Sequence, residues 1–371
     1  MRMWQTKLSI PVNLQTTRNQ ALDGLRGVAI LLVLLPHFGI NYYLRQVGLN
    51  MESNIGVQLF FVLSGFLITT LLVSEKLTTG SVNIKYFYVR RCLRILPVAY
   101  LYLLVLIILN YIFTLNIPAF DFLQSFIFYK NSPLPSSYYT AQYWSLAVEV
   151  QFYLVFPALL ALNPTRYFWF ILSIVIVVPL FAIVSFYTTG LYNSHTSIAL
   201  LAKLCRYAFW KGPTMILIGS VFAMLIFKYN LDIRWLGKPK YLSIILLLWT
   251  LVICSPRFLY HLKYIAEYIS AIIFGIIILM SINSDNLLSR ILRSPIMVRM
   301  GLLSYGIYIW QQLFVGNHAW HPWLKFLSPQ PVWVLMLVKF VAISVIATLS
   351  FKFEQRFLKL KQKFEPENSA Q

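Results

Sequence analysis

The chain has 371 residues, of which 59% are hydrophobic and only 11% are charged, with a mean hydropathy of +0.71. Soluble globular chains are closer to half apolar and a quarter charged, so this composition excludes a soluble enzyme and a disordered scaffold. The net charge of +20 would suggest nucleic acid in a soluble protein. Here basic residues that anchor cytoplasmic loops explain it better, and we expect no nucleic-acid partner.

Ten apolar segments follow one another along the chain, and most approach the roughly 20 residues that a bilayer span needs. They are rich in Leu, Ile, Val and Phe without strict alternation, which favours helices over a β-barrel. The fold class that this predicts is an all-α, polytopic integral membrane protein with about ten transmembrane helices. The segments cover residues 22–43, 56–75, 95–114, 143–162, 167–188, 211–228, 241–256, 264–281, 301–316 and 332–353.

The flanking charges predict how the chain lies in the membrane. With the N-terminus inside, 21 Lys and Arg residues fall on the inner side and 8 on the outer side. This bias predicts a multi-pass protein of the inner or plasma membrane with both termini in the cytoplasm. We expect residues 1–21 to be an uncleaved cytoplasmic segment, 22–360 one transmembrane domain, and 361–371 a disordered tail. Segment 119–129 is too short to span and is predicted to be interfacial.

The first span, LDGLRGVAILLVLLPHF, carries Arg26 and His37 on one helix face, about 16 Å apart along the axis. An imidazole at this depth is able to accept a hydroxyl proton at neutral pH, and a guanidinium suits phosphate. The alternatives are an interface anchor for Arg26 and a satisfied core histidine for His37. Pro36 either bends the ring toward a cavity or ends the helix there.

The motif YWSLAVEVQFYLVFP places Glu149 well inside the fourth span, with Ser145 on the same helix face. A buried carboxylate must be paired or protonated. Glu149 therefore orients His37, pairs with a buried arginine, or makes an interhelical hydrogen bond without chemistry.

The motif FYVRRCLRILP places Arg90, Arg91 and Arg94 before the third span. These arginines either anchor the helix or bind the phosphates of a cytosolic donor.

Three further motifs give weaker signals. Small residues in GVQLFFVLSGFLIT permit close helix contact, a structural role only: Gly56, Ser64 and Gly65. Polar residues in GLLSYGIYIWQQ are candidates to line a cavity: Ser304, Tyr305, Tyr308 and Gln311. His318 and His321 lie among tryptophans without cysteine or acid nearby, which favours an aromatic belt over a metal site.

These motifs, in this order, resemble the membrane acyltransferase-3 family over residues 20–360. The resemblance implies transfer of an acyl group, usually acetyl from acetyl-CoA, to sugars and other acceptors. It implies catalytic roles for His37 and Glu149. It also implies that four residues bind donor or substrate: Arg26, Arg91, Arg94 and Ser145. Three positions depart from the family, since Gln58 replaces an acid, Gln311 replaces a frequent histidine, and Pro36 is not typical.

The resemblance further implies a stand-alone O-acetyltransferase without a fused esterase-like domain, acting on O-antigen, exopolysaccharide or another glycan. Acetyl-CoA is the expected co-substrate, with no bound cofactor and no metal, and the oligomeric state stays open. In the resulting hypothesis, the pantetheine arm enters between Arg26 and His37, and His37 deprotonates the acceptor while Glu149 steadies the imidazolium. A transporter or flippase of a lipid-linked glycan is one alternative, although no paired halves are found. A non-catalytic membrane sensor is the other.

Overall fold

The computed structural model describes residues 8–9, 19–47, 50–187, 197–210, 212–230, 234–282, 284–315 and 331–360. Within these ranges all regular structure is helical, which confirms the predicted all-α class. The helices are α1 (Gln20–Phe38), α2 (Asn41–Leu44), α3 (Asn54–Thr79), α4 (Ile84–Phe113), α5 (Ala119–Phe126), α6 (Tyr143–Leu162), α7 (Pro164–Tyr187), α8 (Ser197–Trp210), α9 (Thr214–Tyr229), α10 (Leu242–Ile253), α11 (Pro256–Ser281), α12 (Leu287–Leu292), α13 (Pro295–Trp310) and α14 (Val332–Leu360).

The described chain is that of a multi-pass membrane protein. Seven of its helices are long and apolar enough to cross a bilayer, and α8 with α9, bent by 63°, makes an eighth if counted as one span. All ten predicted segments coincide with helices, but α10 has only 12 residues and α13 only 16. By length and composition, therefore, seven or eight of the ten predicted segments qualify as spans.

Helix α4 begins earlier than the apolar pattern predicts. It starts at Ile84, where the side chain of Asn83 accepts a hydrogen bond from the Tyr86 amide. Its 30 residues correspond to about 45 Å, more than the ~30 Å thickness of a hydrocarbon core. Arg91 and Arg94 therefore lie within the first eleven residues of a continuous helix, near one membrane surface.

Close backbone contacts join the helices that surround the site. A Cβ on Gly65 of α3 would lie 1.8 Å from the carbonyl oxygen of Ile216 in α9. One on Gly219 of α9 would lie 1.9 Å from that of Val62 in α3. Only glycine permits this approach, and the predicted packing role of Gly65 is confirmed.

The connection between α4 and α6 is held by a buried ion pair. Asp121 accepts a hydrogen bond from Lys130, and both side chains are almost fully buried. The same carboxylate accepts from the Thr140 hydroxyl at 2.6 Å and from the Ser137 amide at 2.9 Å. Multiple donors of this kind compensate for burying a charge. These contacts of Asp121 fix the chain that leads into α6. Helix α5, with eight residues, is too short to span.

Candidate active site

A cavity of about 770 Å³, counting the space at its open mouth, lies where five helices meet. On α6 its lining includes Ser145, Glu149 and Tyr153, which are four residues apart and share one helix face. Leu146 of α6 also lines the cavity. The remaining lining comes from α1, α3, α4 and α13: Arg26, Val57, Phe60, Phe61, Ser64, Arg91, Arg94, Ile95, Ser304, Tyr305 and Tyr308.

The cavity brings together five of the six site residues predicted from the sequence. They come from α1, α4 and α6, and their side chains all line the same space: Arg26, Arg91, Arg94, Ser145 and Glu149. Three guanidinium groups therefore face one carboxylate in the lining. Such an excess of positive charge suits an anionic ligand, above all one with phosphate groups.

Glu149 is held by two hydroxyl groups from different helices. Its Oε1 accepts a hydrogen bond from Ser64 Oγ at 2.7 Å and another from the Tyr153 hydroxyl. Both bonds orient the carboxylate, because its Oε1 is the acceptor in each of them. Within the described chain no hydrogen bond reaches its Oε2, so this oxygen is the one available to a ligand. The packing role predicted for Ser64 was incomplete, since Ser64 also contacts this carboxylate.

Arg91 is held by aromatic rings rather than by an acid. Its guanidinium carbon lies 5.5 Å from the ring centroid of Phe87 and 5.6 Å from that of Tyr153. Its Nε is buried, and it has no hydrogen-bond partner in the part of the chain that the structure describes. Ring faces stabilise the cation without using its N–H groups. Those donors therefore remain for an anionic ligand. Arg26 differs, since it lies 3.7 Å from Asp23.

Arg90 plays a different part from its two neighbours in the motif. It lies 3.4 Å from a Glu75 oxygen, and its guanidinium carbon stacks 4.1 Å from the Tyr86 ring centroid. It does not line the cavity. The predicted arginine cluster therefore divides into Arg90, which ties α4 to α3, and Arg91 with Arg94, which face the cavity.

His37 is the predicted site residue that the cavity leaves out. It lies in the last turn of α1 with an exposed side chain, and the helix ends just beyond it at Phe38. Of the two alternatives for Pro36, the structure shows the helix end. The cavity lining does not include His37.

A packed helix contact lies between the levels of Arg26 and His37. A Cβ on Gly56 of α3 would lie 2.4 Å from the carbonyl oxygen of Ala29 in α1, which confirms the close-contact role of Gly56. The contact considered between His37 and Glu149 is not present among the described residues, because the carboxylate bonds to hydroxyl groups instead.

A family model described as "Acyltransferase domain" matches residues 19–349. The chain belongs to this family, the membrane acyltransferase-3 family. The peptidoglycan O-acetyltransferase OatA of Listeria monocytogenes is 29% identical over 368 residues, 90% of this chain and 54% of OatA. SACOL0978 of Staphylococcus aureus (strain COL), whose name gives O-acetyltransferase as a provisional assignment, is 26% identical over 78% of this chain and 49% of its own length. The chain thus spans about half the length of these relatives, and no solved structure matches it.

The other predicted residues of this acyltransferase-family chain lie partly in the cavity lining and partly outside it. Three residues of α13 line the cavity, as their motif suggested: Ser304, Tyr305 and Tyr308. Gln311 and Gln58 are buried outside it. His318 and His321 lie outside the described residues.

Tyr153 was not among the site residues predicted from the sequence, although it follows Glu149 by one helical turn. That spacing was the available signal.

Proposed function

We propose that this protein is a membrane O-acetyltransferase that moves an acetyl group from cytosolic acetyl-CoA to a hydroxyl of a cell-envelope glycan. The observation that carries the proposal is the cavity that unites three arginines with Glu149. The names of the relatives give the same chemistry, and OatA is named for peptidoglycan. A glycan of peptidoglycan, O-antigen or exopolysaccharide type is therefore the acceptor class. Acetyl-CoA is consumed as a co-substrate.

The arginines bind the donor. Arg91 and Arg94 hold its phosphates by charge-assisted hydrogen bonds, with Arg26 on the facing helix. The charge bias of the loops supports an orientation in which this end of the molecule and both termini lie at the cytoplasmic surface, where acetyl-CoA is available. The membrane in question is the inner or plasma membrane.

Glu149 is the one carboxylate among the described residues that line this cavity, and we assign it the acid–base role. The acceptor oxygen attacks the thioester carbonyl carbon and forms the new C–O bond, while its proton passes to the carboxylate. The C–S bond breaks, and coenzyme A leaves as a thiolate that takes the proton back from Glu149. Proton transfer of this kind contributes about 10²–10⁴-fold to a rate.

His37 acts on the acceptor side in this proposal. It lies beyond the contact between Gly56 and Ala29 and outside the cavity lining, so its ring does not reach a thioester bound in the cavity. We therefore assign His37 to binding and orienting the glycan hydroxyl as it enters, and Glu149 to accepting the proton of that hydroxyl when it attacks the thioester.

The experiment that tests the function is deletion of the gene from its host, followed by mass spectrometry of the cell-envelope glycans. We expect one glycan to lose the mass of an acetyl group, and expression of the wild-type chain to restore it. Unchanged acetylation of all glycans would overturn the proposal. If the protein is a transporter, the purified protein will not consume acetyl-CoA. If it is a sensor, it will tolerate the substitution Glu149→Gln.

A further inference from the structure

The polar residues that line the cavity follow one another in a fixed order along the helix axes. Tyr153, Glu149 and Ser145 follow one another on α6 in steps of one turn, about 6 Å each. Tyr153 faces Arg91, so it marks the arginine end. Ser145 contacts Tyr308 of α13 and lies about 12 Å farther along α6. The arginines, the carboxylate and a pair of hydroxyls therefore lie in sequence from one end of the cavity to the other.

The Ser145–Tyr308 hydroxyl pair at the far end is able to donate a hydrogen bond to a ligand. Ser145 Oγ and the Tyr308 hydroxyl lie 2.5 Å apart, and both lie near the carbonyl oxygen of Gln142, at 3.1 Å and 3.3 Å. Each hydroxyl donates a single proton. When one hydroxyl donates to the other, the pair stays hydrogen-bonded, and the second hydroxyl is able to turn its proton from the Gln142 carbonyl into the cavity.

Apolar side chains surround this hydroxyl pair. The Phe60 ring centroid lies 6.4 Å from that of Tyr308, in an edge-to-face arrangement. Val57, one turn from Phe60 on α3, and Leu146, next to Ser145, complete the lining at this end. An apolar wall with one hydrogen-bond donor fits a small acyl group, whose carbonyl is polar and whose chain is not.

We propose that this end of the cavity, formed by Val57, Phe60, Ser145, Leu146 and Tyr308, is an acyl pocket that selects short acyl groups. The Ser145–Tyr308 pair donates a hydrogen bond to the thioester carbonyl oxygen, and the Phe60 ring closes the space beyond the acetyl methyl. This inference rests on the proposed function, because it requires an acyl-CoA donor whose phosphates lie at the arginine end.

Chain-length selection tests the wall of the pocket. Purified protein is assayed for coenzyme A release with acetyl-, propionyl-, butyryl- and hexanoyl-CoA. In the wild type we expect kcat/KM to fall with each added methylene. Phe60→Ala should raise the butyryl-to-acetyl ratio by about tenfold or more, since one methylene in a pocket is worth roughly 10–200-fold. Phe66→Ala is the matched control, because Phe66 is fully buried on the same helix outside the cavity and should leave the ratio unchanged.

The outcomes separate the pocket from the function. A wild type that consumes acetyl-CoA while Phe60→Ala keeps the wild-type ratio overturns the pocket and leaves the proposed function intact. A wild type that consumes no acyl-CoA overturns both. If Phe60→Ala does not fold, Val57→Ala removes less volume at the same end and should shift the ratio in the same direction. An unchanged ratio there overturns the pocket.

The hydroxyl pair has its own test. Tyr308→Phe should lower kcat for acetyl-CoA by about 10²-fold while KM changes little, because the bond strengthens as negative charge develops on the carbonyl oxygen. Tyr143→Phe is the control. The Tyr143 hydroxyl donates a hydrogen bond of 2.6 Å to the Ala99 carbonyl, and Tyr143 does not line the cavity. Equal kcat values for Tyr308→Phe and the wild type would remove the hydroxyl pair from the pocket.

Discussion

Glu149 is positioned by the protein before any ligand arrives. Its Oε1 accepts from Ser64 on one helix and from Tyr153 on its own. The Tyr153 ring also faces the Arg91 guanidinium at 5.6 Å. One tyrosine therefore contacts both the carboxylate to which we assign the acid–base role and a cation that we assign to donor binding.

Tyr153→Phe keeps the ring beside Arg91 and removes the hydroxyl from Glu149. We expect kcat to fall by about tenfold or more, because a hydrogen bond to a charged group is worth roughly 1.5–3 kcal/mol. The affinity for acetyl-CoA should change little. Coenzyme A release and equilibrium binding measure the two quantities. Tyr102→Phe removes a buried hydroxyl that donates to the Tyr139 carbonyl, and it serves as the control. Equal losses in the two variants would argue against a positioning role.

Arg91 and Arg90 are adjacent in sequence but differ in their contacts, which makes them a matched pair. Arg91→Gln should weaken coenzyme A binding by about tenfold or more, because it removes a charge-assisted bond to phosphate. Arg90→Gln breaks the contact with Glu75 and should leave binding near the wild-type value. Isothermal titration with coenzyme A compares them. An equal effect of both variants would indicate a general electrostatic contribution rather than a site at Arg91.

Pairs of helices set the position of the cavity walls. Helix α3 supplies Ser64 and Phe60 from one face, while Gly65 on the adjoining face contacts the backbone of α9. The close contact fixes the depth and rotation of α3. Small changes at this contact should therefore affect stability before they affect chemistry.

Gly65→Ala tests the packing of α3 on α9. The added methyl would lie 1.8 Å from the Ile216 carbonyl oxygen, so the helices must separate. Overpacking of this kind costs about 1–3 kcal/mol, and we expect a lower Tm in detergent. Leu71→Ala, at a position on the same helix that is 40% exposed, should lower Tm less. An unchanged Tm for Gly65→Ala would show that the contact is easily relieved.

The helices themselves are readily predicted from the sequence because a bilayer demands internal backbone hydrogen bonds. Every predicted apolar segment coincides with a helix of the described chain. The helix ends are harder to predict. Helix α4 starts at Ile84 because helices continue past the hydrocarbon edge, where polar residues such as Arg91 and Arg94 interrupt the apolar pattern.

Charged site residues were found from the sequence because charge inside an apolar helix is costly and therefore conspicuous. The hydroxyl contacts of Ser64 and Tyr308 were not predicted, since hydrogen bonds between helices depend on rotation and depth rather than on spacing within one helix. The helix-face argument likewise placed Arg26 and His37 on one side of α1. Residue spacing within α1 could not predict that α3 packs against α1 between these two residues.

At the scale of the whole molecule, the proposed chemistry requires the arginine end of the cavity to face the cytoplasm. The α3–α4 connection lies at that end, and the connection between α5 and α6 lies at the other. Exposed positions in the two connections are Ser81 and Ser136. The free cysteines that are not buried are Cys92 and Cys205, and both are first replaced by serine. In that background, a membrane-impermeant maleimide should label Ser136→Cys in intact cells and Ser81→Cys only after permeabilisation. The reverse pattern would contradict cytoplasmic donor binding.

Thioester consumption by purified protein in lipid nanodiscs tests the role of the cavity most directly. We expect the wild type to release coenzyme A from acetyl-CoA slowly with water and faster with a glycan acceptor. Glu149→Gln should still bind acetyl-CoA but lose about 10²-fold or more in both reactions, the scale of a lost acid–base group. His37→Ala should lose only the acceptor-dependent reaction. Turnover of Glu149→Gln at the wild-type rate would contradict the assignment of this cavity as the active site.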